Sequence, residues 1–306
     1  VWYSRWIRYE IIMIFPFTGK KQGGAGGIGR GLFGGGNSGA YANTIDYVTI
    51  ASTGNATDFG DLTVARYGVA GCSSATRGLF GGGYEAAGAS NVIDYVTIAS
   101  TGNATDFGEL TVARYYLASC SSSTRGLFGG GTTSGNTIDY VTIASTGNAT
   151  DFGDLTVARR NLSSCSSSTR GLIGGGTSTT NIIDYVTIAS TGNAIDFGDL
   201  TLARSYLASC SSSTRGLFGG GFPTTNVIDY VTIASTGNAI DFGDLTVARM
   251  RAAGCSSATR GLFGGNDIDT IDYVTISSTG NAIDFGDLSV GRFALAGCSD
   301  VHGGLA

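Results

Sequence analysis

Hydrophobic and polar positions alternate along this chain in short runs, and glycine-rich or serine-rich turns separate one run from the next. A representative stretch contains four strand-like runs, at positions 206–212, 216–220, 228–234 and 239–248. Short runs of this kind between turn signals predict β-strands. In the third run the side chains of both parities are largely apolar, which predicts a strand covered on both faces. The dipeptide Gly237-Asn238 before the fourth run predicts a two-residue hairpin.

The four-run pattern is repeated along the chain. Six near-copies of Arg-Gly-Leu-Phe-Gly-Gly-Gly, 45 to 48 residues apart, begin at Arg30, Arg77, Arg125, Arg170, Arg215 and Arg260. A fixed period of this length predicts a repeat architecture, and four strands per repeat is typical of a propeller blade. A parallel β-solenoid with two rungs per repeat is the alternative.

The two ends of the chain complement each other. Copies of the second, third and fourth strands begin at Gly31, and the segment before Gly31 lacks a first-strand pattern, which is found instead at 293–299. We therefore predict an all-β, six-bladed β-propeller over residues 30–306, closed by the C-terminal strand pairing into the first blade. Residues 1–29 form an atypical N-terminal segment with a glycine-rich lead. We interpret residues 1–22 as the end of a preceding segment, a peripheral packing strand or a targeting remnant.

Composition narrows the class of protein. The chain has 42% apolar and 13% charged residues, which predicts a globular protein rather than a disordered one. Its net charge of -5 argues against a nucleic-acid partner, because such proteins need a basic face. We expect no membrane span, because no apolar run is long enough for a transmembrane helix.

The repeat resembles kelch-type β-propellers. The resemblance rests on the double glycine after the second strand (Gly219-Gly220), on Asp229-Tyr230 in the third strand and on Asp241-Phe242-Gly243 in the fourth. It covers residues 30–306. A kelch blade usually has Trp where this chain has Phe59, Phe107, Phe152, Phe197, Phe242 and Phe285. The chain is also similar to glycine-rich repeat propellers of marine phages and environmental bacteria. The kelch-type resemblance implies a propeller that serves in most cases as a binding platform and in a few cases as an enzyme.

Cysteine and charged residues repeat with the blades. The cysteines occupy one equivalent position on the innermost strand: Cys72, Cys120, Cys165, Cys210, Cys255 and Cys298. We predict free thiols that fill a narrow centre as small apolar residues, with no bound metal and no cofactor. The recurring Asp and Arg positions predict structural ion pairs at strand ends rather than catalysis. Because His302 is the only histidine, imidazole acid–base chemistry has almost no candidate.

The copies differ at two places, the loop after the glycines and the residue pair after the fourth-strand arginine. In an antiparallel four-stranded blade both emerge on the same face, whereas the turns on the opposite face hardly vary. Drift of exposed loops is one explanation. The other is binding, because the variable positions use Tyr, Arg, Asn and Ser, as binding surfaces do. We predict a ligand-binding surface around the channel mouth formed by Tyr67, Tyr115, Tyr116, Arg160, Asn161, Tyr206, Arg251 and Phe293, with Tyr41, Tyr84 and Phe222 further out.

These features favour a monomeric recognition module with no catalytic residues. We expect an adhesin or receptor-binding domain of a phage or cell-surface protein, located outside the cell or on a virion, that contacts a glycan or a protein. The domain could belong to a longer polypeptide or to a virion assembly. The alternative is an extracellular propeller enzyme, a hydrolase or lyase acting on polysaccharide at the channel mouth. Of the variable positions only Glu85, Asp267 and Asp269 are acidic, which is little support for the enzyme.

Overall fold

A computed structural model describes residues 28–132, 135–177, 180–266 and 268–305. The predicted N-terminal segment therefore lies largely outside the described residues. Within them, a single 3-10 turn (Gly303–Leu305) accompanies the following strands. In chain order they are β1 (Arg30–Gly34), β2 (Thr44–Thr49), β3 (Thr57–Asp61), β4 (Ala70–Ser73), β5 (Arg77–Gly81), β6 (Tyr84–Glu85), β7 (Gly88–Ala89), β8 (Val92–Thr97), β9 (Thr105–Glu109), β10 (Ala118–Ser121), β11 (Arg125–Gly129), β12 (Thr137–Thr142), β13 (Thr150–Asp154), β14 (Ser163–Ser166), β15 (Arg170–Gly174), β16 (Ile182–Thr187), β17 (Ile195–Asp199), β18 (Ala208–Ser211), β19 (Arg215–Gly219), β20 (Thr225–Thr232), β21 (Ile240–Arg249), β22 (Ala253–Ser256), β23 (Arg260–Gly264), β24 (Thr270–Thr275), β25 (Ile283–Asp287) and β26 (Ala296–Ser299).

The strands form six four-stranded antiparallel blades in a ring. Blade 1 has the order β26-β1-β2-β3, and blade 2 has the order β4-β5-β8-β9 with the small hairpin β6-β7 in its variable loop. Blades 3 to 6 each contain four consecutive strands, beginning at β10, β14, β18 and β22. The six-bladed prediction is confirmed, and the solenoid alternative is excluded because every blade is an antiparallel sheet. No helix among the described residues is long and apolar enough to cross a bilayer.

The ring closes as predicted, through the last strand. β26 pairs antiparallel with β1, which places Cys298 opposite Leu32. Directly after β26, the carboxylate of Asp300 accepts hydrogen bonds from the backbone N–H groups of Gly29 at 3.1 Å and Arg30 at 2.9 Å. The C-terminal strand and the turn after it therefore both hold the start of the first blade.

The hydrophobic core lies between neighbouring blades. In one core cluster Leu79 and Ile93 of blade 2 pack with Phe128 and Val141 of blade 3. The ring of Phe128 also explains why position 81 is glycine, because a Cβ on Gly81 would lie 2.6 Å from that ring. The apolar strand positions of the repeat thus join blades to each other, which requires close approach at these glycines.

Buried ion pairs also connect the blades. Arg114, which follows the outer strand of blade 2, contacts Asp139 of blade 3 at 2.8 Å, and both side chains are fully buried. The Thr111 hydroxyl donates to the same carboxylate at 2.6 Å. All six interfaces have such a pair: Arg66–Asp94, Arg114–Asp139, Arg159–Asp184, Arg204–Asp229, Arg249–Asp272 and Arg292–Asp46. The prediction of structural ion pairs is confirmed for these Arg and Asp positions. The other repeated arginine lies over a tyrosine ring instead, as Arg77 does over Tyr95 at 4.7 Å.

The Gly-Asn segment has a different role from the one predicted. Tyr140 lies opposite Thr150, so the connection between the third and fourth strands is longer than a two-residue hairpin, and that prediction was wrong. Instead, Gly147 N–H donates to Phe107 O of the preceding blade at 2.8 Å, and Asn148 Oδ1 accepts from Glu109 N–H at 3.1 Å. This segment pairs through backbone hydrogen bonds with the outer strand of the preceding blade. The pairing gives a structural reason why the Gly-Asn sequence is the same in every repeat.

All six cysteines are buried and unpaired. The Sγ of Cys72 points at Gly126 of the next blade, where an added Cβ would lie only 2.7 Å from the sulfur. Burial raises the pKa of Cys120 to about 12, so its thiol is protonated at neutral pH. The thiols thus fill inter-blade space as small apolar groups, as predicted.

Candidate binding site at the channel mouth

A ring of six residues surrounds the channel on the variable face. They are the second members of the variable pairs: Gly68, Tyr116, Asn161, Tyr206, Arg251 and Ala294. Each lies in the left-handed region, with φ between 54° and 66°. The N–H of each donates to the carbonyl of its counterpart in the preceding blade at 2.7 to 2.9 Å, and the N–H of Gly68 donates to Ala294, so the ring is closed. We call these six residues the mouth ring.

The conformation of the mouth ring is unfavourable for most of its side chains. The left-handed region costs an L-residue roughly 1–2 kcal/mol, and only glycine enters it freely. Gly68 avoids this cost in blade 2, and Asn161 bears it better than most residues. Tyr116, Tyr206 and Arg251 carry large side chains there, and the closed ring of hydrogen bonds holds them in place.

Behind the mouth ring the channel continues through two further spaces among the described residues. The space at the mouth is about 60 Å³ and is bounded below by Leu117 and its counterparts. A central space of about 110 Å³ follows, and then one of about 50 Å³ that is lined by the Cys-Ser segments and His302.

A second ring of hydrogen bonds surrounds the closed end. Each serine that follows a cysteine donates its hydroxyl to the carbonyl of its counterpart in the preceding blade at 2.5 to 2.9 Å: Ser73, Ser121, Ser166, Ser211, Ser256 and Ser299. Nδ1 of His302 accepts from Gly304 N–H at 3.0 Å, so Nε2 carries the proton and donates to Ser73 O at 3.0 Å. The turn after β26 thus plugs this end of the channel.

Tyrosine rings form a continuous network on the open face. Tyr84 and Tyr115 lie 5.0 Å apart between ring centroids, Tyr115 and Tyr116 lie 5.1 Å apart, and Tyr116 and Tyr206 lie 5.5 Å apart. Tyr41 and Tyr67 join the same network at 5.2 Å from each other. We call these six residues the tyrosine surface; five come from the first three blades and their connections, and Tyr206 comes from the start of blade 5.

Arg251 extends this network on one side. Its guanidinium carbon lies 4.7 Å from the ring centroid of Tyr206 and 5.3 Å from that of Phe293. Burial raises the pKa of Tyr116, and Arg251 partly offsets this effect. The pKa of Tyr67 is also raised, first by burial and then by the neighbouring phenols. The hydroxyls of Tyr67 and Tyr116 are therefore neutral at neutral pH.

The structure separates the residues predicted to line the mouth into two groups. Second members of the variable pairs line it, whereas first members pair with the neighbouring loops, as Tyr67 does with Tyr84 and Phe293 does with Asn37. Arg160 is exposed in an outer depression beside Thr177, and Phe222 is half exposed and bridges to Ser205. The left-handed turn at the second residue causes this division.

Some features of the site escaped the sequence analysis. The mouth ring requires backbone angles that a variable residue pair does not reveal, although Gly68 in one copy is a signal. The serine that follows every cysteine is a sequence signal from which the ring of serine hydrogen bonds could have been predicted.

Comparison of the chain with family models and with curated proteins gives no match.

The enzymatic alternative gains no support from the site. No carboxylate lines the mouth among the described residues, and Asp267 lies outside them. Within the same ranges no group of three His, Cys, Asp or Glu side chains could hold a metal ion.

Proposed function

We propose that the protein is a recognition module that binds its partner across the mouth ring and the tyrosine surface. The observation that carries this proposal is the presence of large side chains at left-handed positions, with φ of 57° to 59° at Tyr116, Tyr206 and Arg251. Strained residues held by a rigid frame are common at ligand sites. In this protein glycine already occupies the equivalent position in blade 2, so the frame itself does not require the larger side chains.

The chemistry of the surface supports recognition. Tyrosine buries a large amphipathic area at a small cost in conformational entropy, and packed aromatic and arginine side chains dominate binding energies at interfaces. The frame is rigid, because buried ion pairs and two closed hydrogen-bond rings connect all six blades. A rigid scaffold with recognition at the loops of one face is a common arrangement.

The proposed setting is outside a cell or on a virion surface, where the module serves as an adhesin or receptor-binding domain for a glycan or protein. The kelch-type resemblance is compatible with such a binding platform. The thiols suit an oxidising medium, because burial raises their pKa and keeps them protonated and unreactive.

The test is a comparison of two matched double variants in a glycan-array and cell-binding assay. Tyr115→Ala with Tyr116→Ala removes the centre of the tyrosine surface, and such anchors contribute about 1–4 kcal/mol to binding. Ser100→Ala with Thr101→Ala removes two exposed side chains from the opposite face and serves as the control. We expect the tyrosine variant to lose binding and the control to keep it. The reverse outcome would place recognition on the opposite face and refute the proposal.

A further inference from the structure

The mouth ring contains one cation, Arg251, without an ion-pair partner among the described residues. Each arginine that follows a fourth strand is paired with an aspartate at 2.5 to 3.0 Å. Arg251 has no carboxylate partner among the described residues; it contacts the faces of Tyr206 and Phe293 instead. Its Nε is buried and has no hydrogen-bond partner within the described ranges, which is also true of four of the paired arginines. Arg251 differs from them because no carboxylate in those ranges pairs with its guanidinium. A ligand with an acidic group would supply the partner that this guanidinium lacks.

A second unpaired polar group lies at the same mouth. Asn161 occupies the ring position two blades before Arg251 and is only 6% exposed. Its Oδ1 is buried and has no hydrogen-bond partner in the part of the chain that the structure describes. Both residues line the space at the mouth. A ligand that satisfies both must present a group that pairs with a cation and a group that bonds to an amide.

The size of the mouth restricts what can enter it. The space is about 60 Å³, whereas an engineered cavity that accepts a benzene molecule measures roughly 150 Å³. A space of this size favours a small charged group, such as a carboxylate or a sulfate, over a whole sugar ring. The remainder of such a ligand would therefore lie outside the mouth, on the tyrosine surface.

We infer that the mouth binds an acidic saccharide, with its negatively charged group on Arg251, a neighbouring hydroxyl on the Asn161 amide and its ring on the tyrosine surface. A planar guanidinium binds carboxylate or sulfate oxygens through two donors. A sugar hydroxyl both donates and accepts, so it suits the amide of Asn161 whichever way that amide is oriented. The phenol rings, which meet one another at tilted or edge-to-face angles, offer apolar surface together with hydroxyl donors. This inference rests on the proposed function, because it names the ligand class for the same surface.

The experiment compares three probes by titration calorimetry: a galacturonic acid trimer, its fully methyl-esterified form and a sulfated galactan oligosaccharide. We expect the wild-type protein to bind at least one acidic probe roughly 10- to 100-fold more tightly than the neutral ester, as the loss of a charge-assisted hydrogen bond implies. This preference should weaken as salt is raised. The acidic probe that binds more tightly shows whether the mouth prefers a carboxylate or a sulfate.

Arg251→Gln should abolish the preference, and Arg251→Lys should retain part of it. The control is the Ser100→Ala with Thr101→Ala variant on the opposite face, which should leave the preference unchanged. The salt titration of the wild-type protein tests the charge even if an Arg251 variant folds poorly.

The outcomes separate the two proposals. Equal binding of the ester and the acidic probes, or a preference that survives in Arg251→Gln, overturns the inference. So does a lack of binding to all three probes. In each case the proposed function stands if the Tyr115 and Tyr116 double variant still loses binding to cells, and it fails if that variant binds normally.

Discussion

The backbone of the mouth ring makes a prediction that two adjacent tyrosines can test. Tyr116 has φ of 57°, whereas Tyr115 is not among the residues with positive φ. Both are partly buried members of the tyrosine surface. We propose four variants, with Ala and Gly at each position. Within each pair the ring contacts are lost equally, so the difference between Ala and Gly reports the backbone alone.

The expected order of stability reverses between the two positions. At position 116 a Cβ in the left-handed region is strained, so the Gly variant should be more stable than the Ala variant by about 1 kcal/mol. At position 115 the usual order should hold, with Ala more stable than Gly by about 0.5–1 kcal/mol. For a domain of this size 1 kcal/mol corresponds to a shift in melting temperature of roughly 2–4 °C.

The measurement is urea unfolding with a shared m-value, supported by calorimetric melting. Both variants at position 116 should also lose binding to the same degree, because both lack the phenol. If Ala at position 116 proved as stable as Gly, or more so, the residue would not be left-handed, and the closed mouth ring and the argument built on it would fail.

Three further predictions concern closure, packing and pH. Deletion of residues 293–306 should remove β26 and the Asp300 contacts and abolish cooperative unfolding; an unchanged melting temperature would contradict the closure. Gly126→Ala should destabilise by about 1–3 kcal/mol through overpacking against Cys72, and adding Cys72→Ala should recover part of this loss in a double-mutant cycle; additive effects would mean that the sulfur is not the contact. Burial lowers the pKa of His302, so its stabilising contribution should be complete above about pH 6.5 and decline as the pH falls below that value. The pKa of Asp300 is raised, so its effect on stability has the opposite dependence on pH. The test is therefore the difference in unfolding free energy between wild type and His302→Gln, measured from pH 7 to pH 5. Parallel curves of unfolding free energy against pH would contradict the assignment.

Most of the fold could be predicted from the sequence because each repeat expresses the same physical constraints. Apolar runs and glycines recur with one period, and the missing first strand of blade 1 is present at the other end of the chain. The Arg and Asp positions could be assigned to structural pairs because every copy retains them. The Gly-Asn hairpin prediction was wrong because local turn propensity does not show that Gly147 bonds to a neighbouring blade.

The candidate site was less predictable. Variation drew attention to these pairs of residues, but it did not show that the second member of each pair lines the channel mouth. Tyr115 and Tyr116 look equivalent in the sequence, and only the backbone angles separate them. The amide oxygen of Asn161 and the Nε of Arg251 are buried without a hydrogen-bond partner among the described residues, and no sequence pattern shows this.

The structure also changes the reason for locating recognition on the variable face. Contrast with the opposite face no longer argues for binding, because the invariant turns there form hydrogen bonds between blades. The stronger reason is physical. Segment 300–305 plugs the opposite end of the channel, with His302 bonded to Ser73 and the glycines beside it packed against the serine segments. Among the described residues the mouth ring is therefore the open end of the channel, where a ligand meets strained side chains, a cation without a carboxylate partner and a buried amide oxygen without a hydrogen-bond partner. A frame that served only to close the ring would be more stable with glycine at Tyr116 and Arg251.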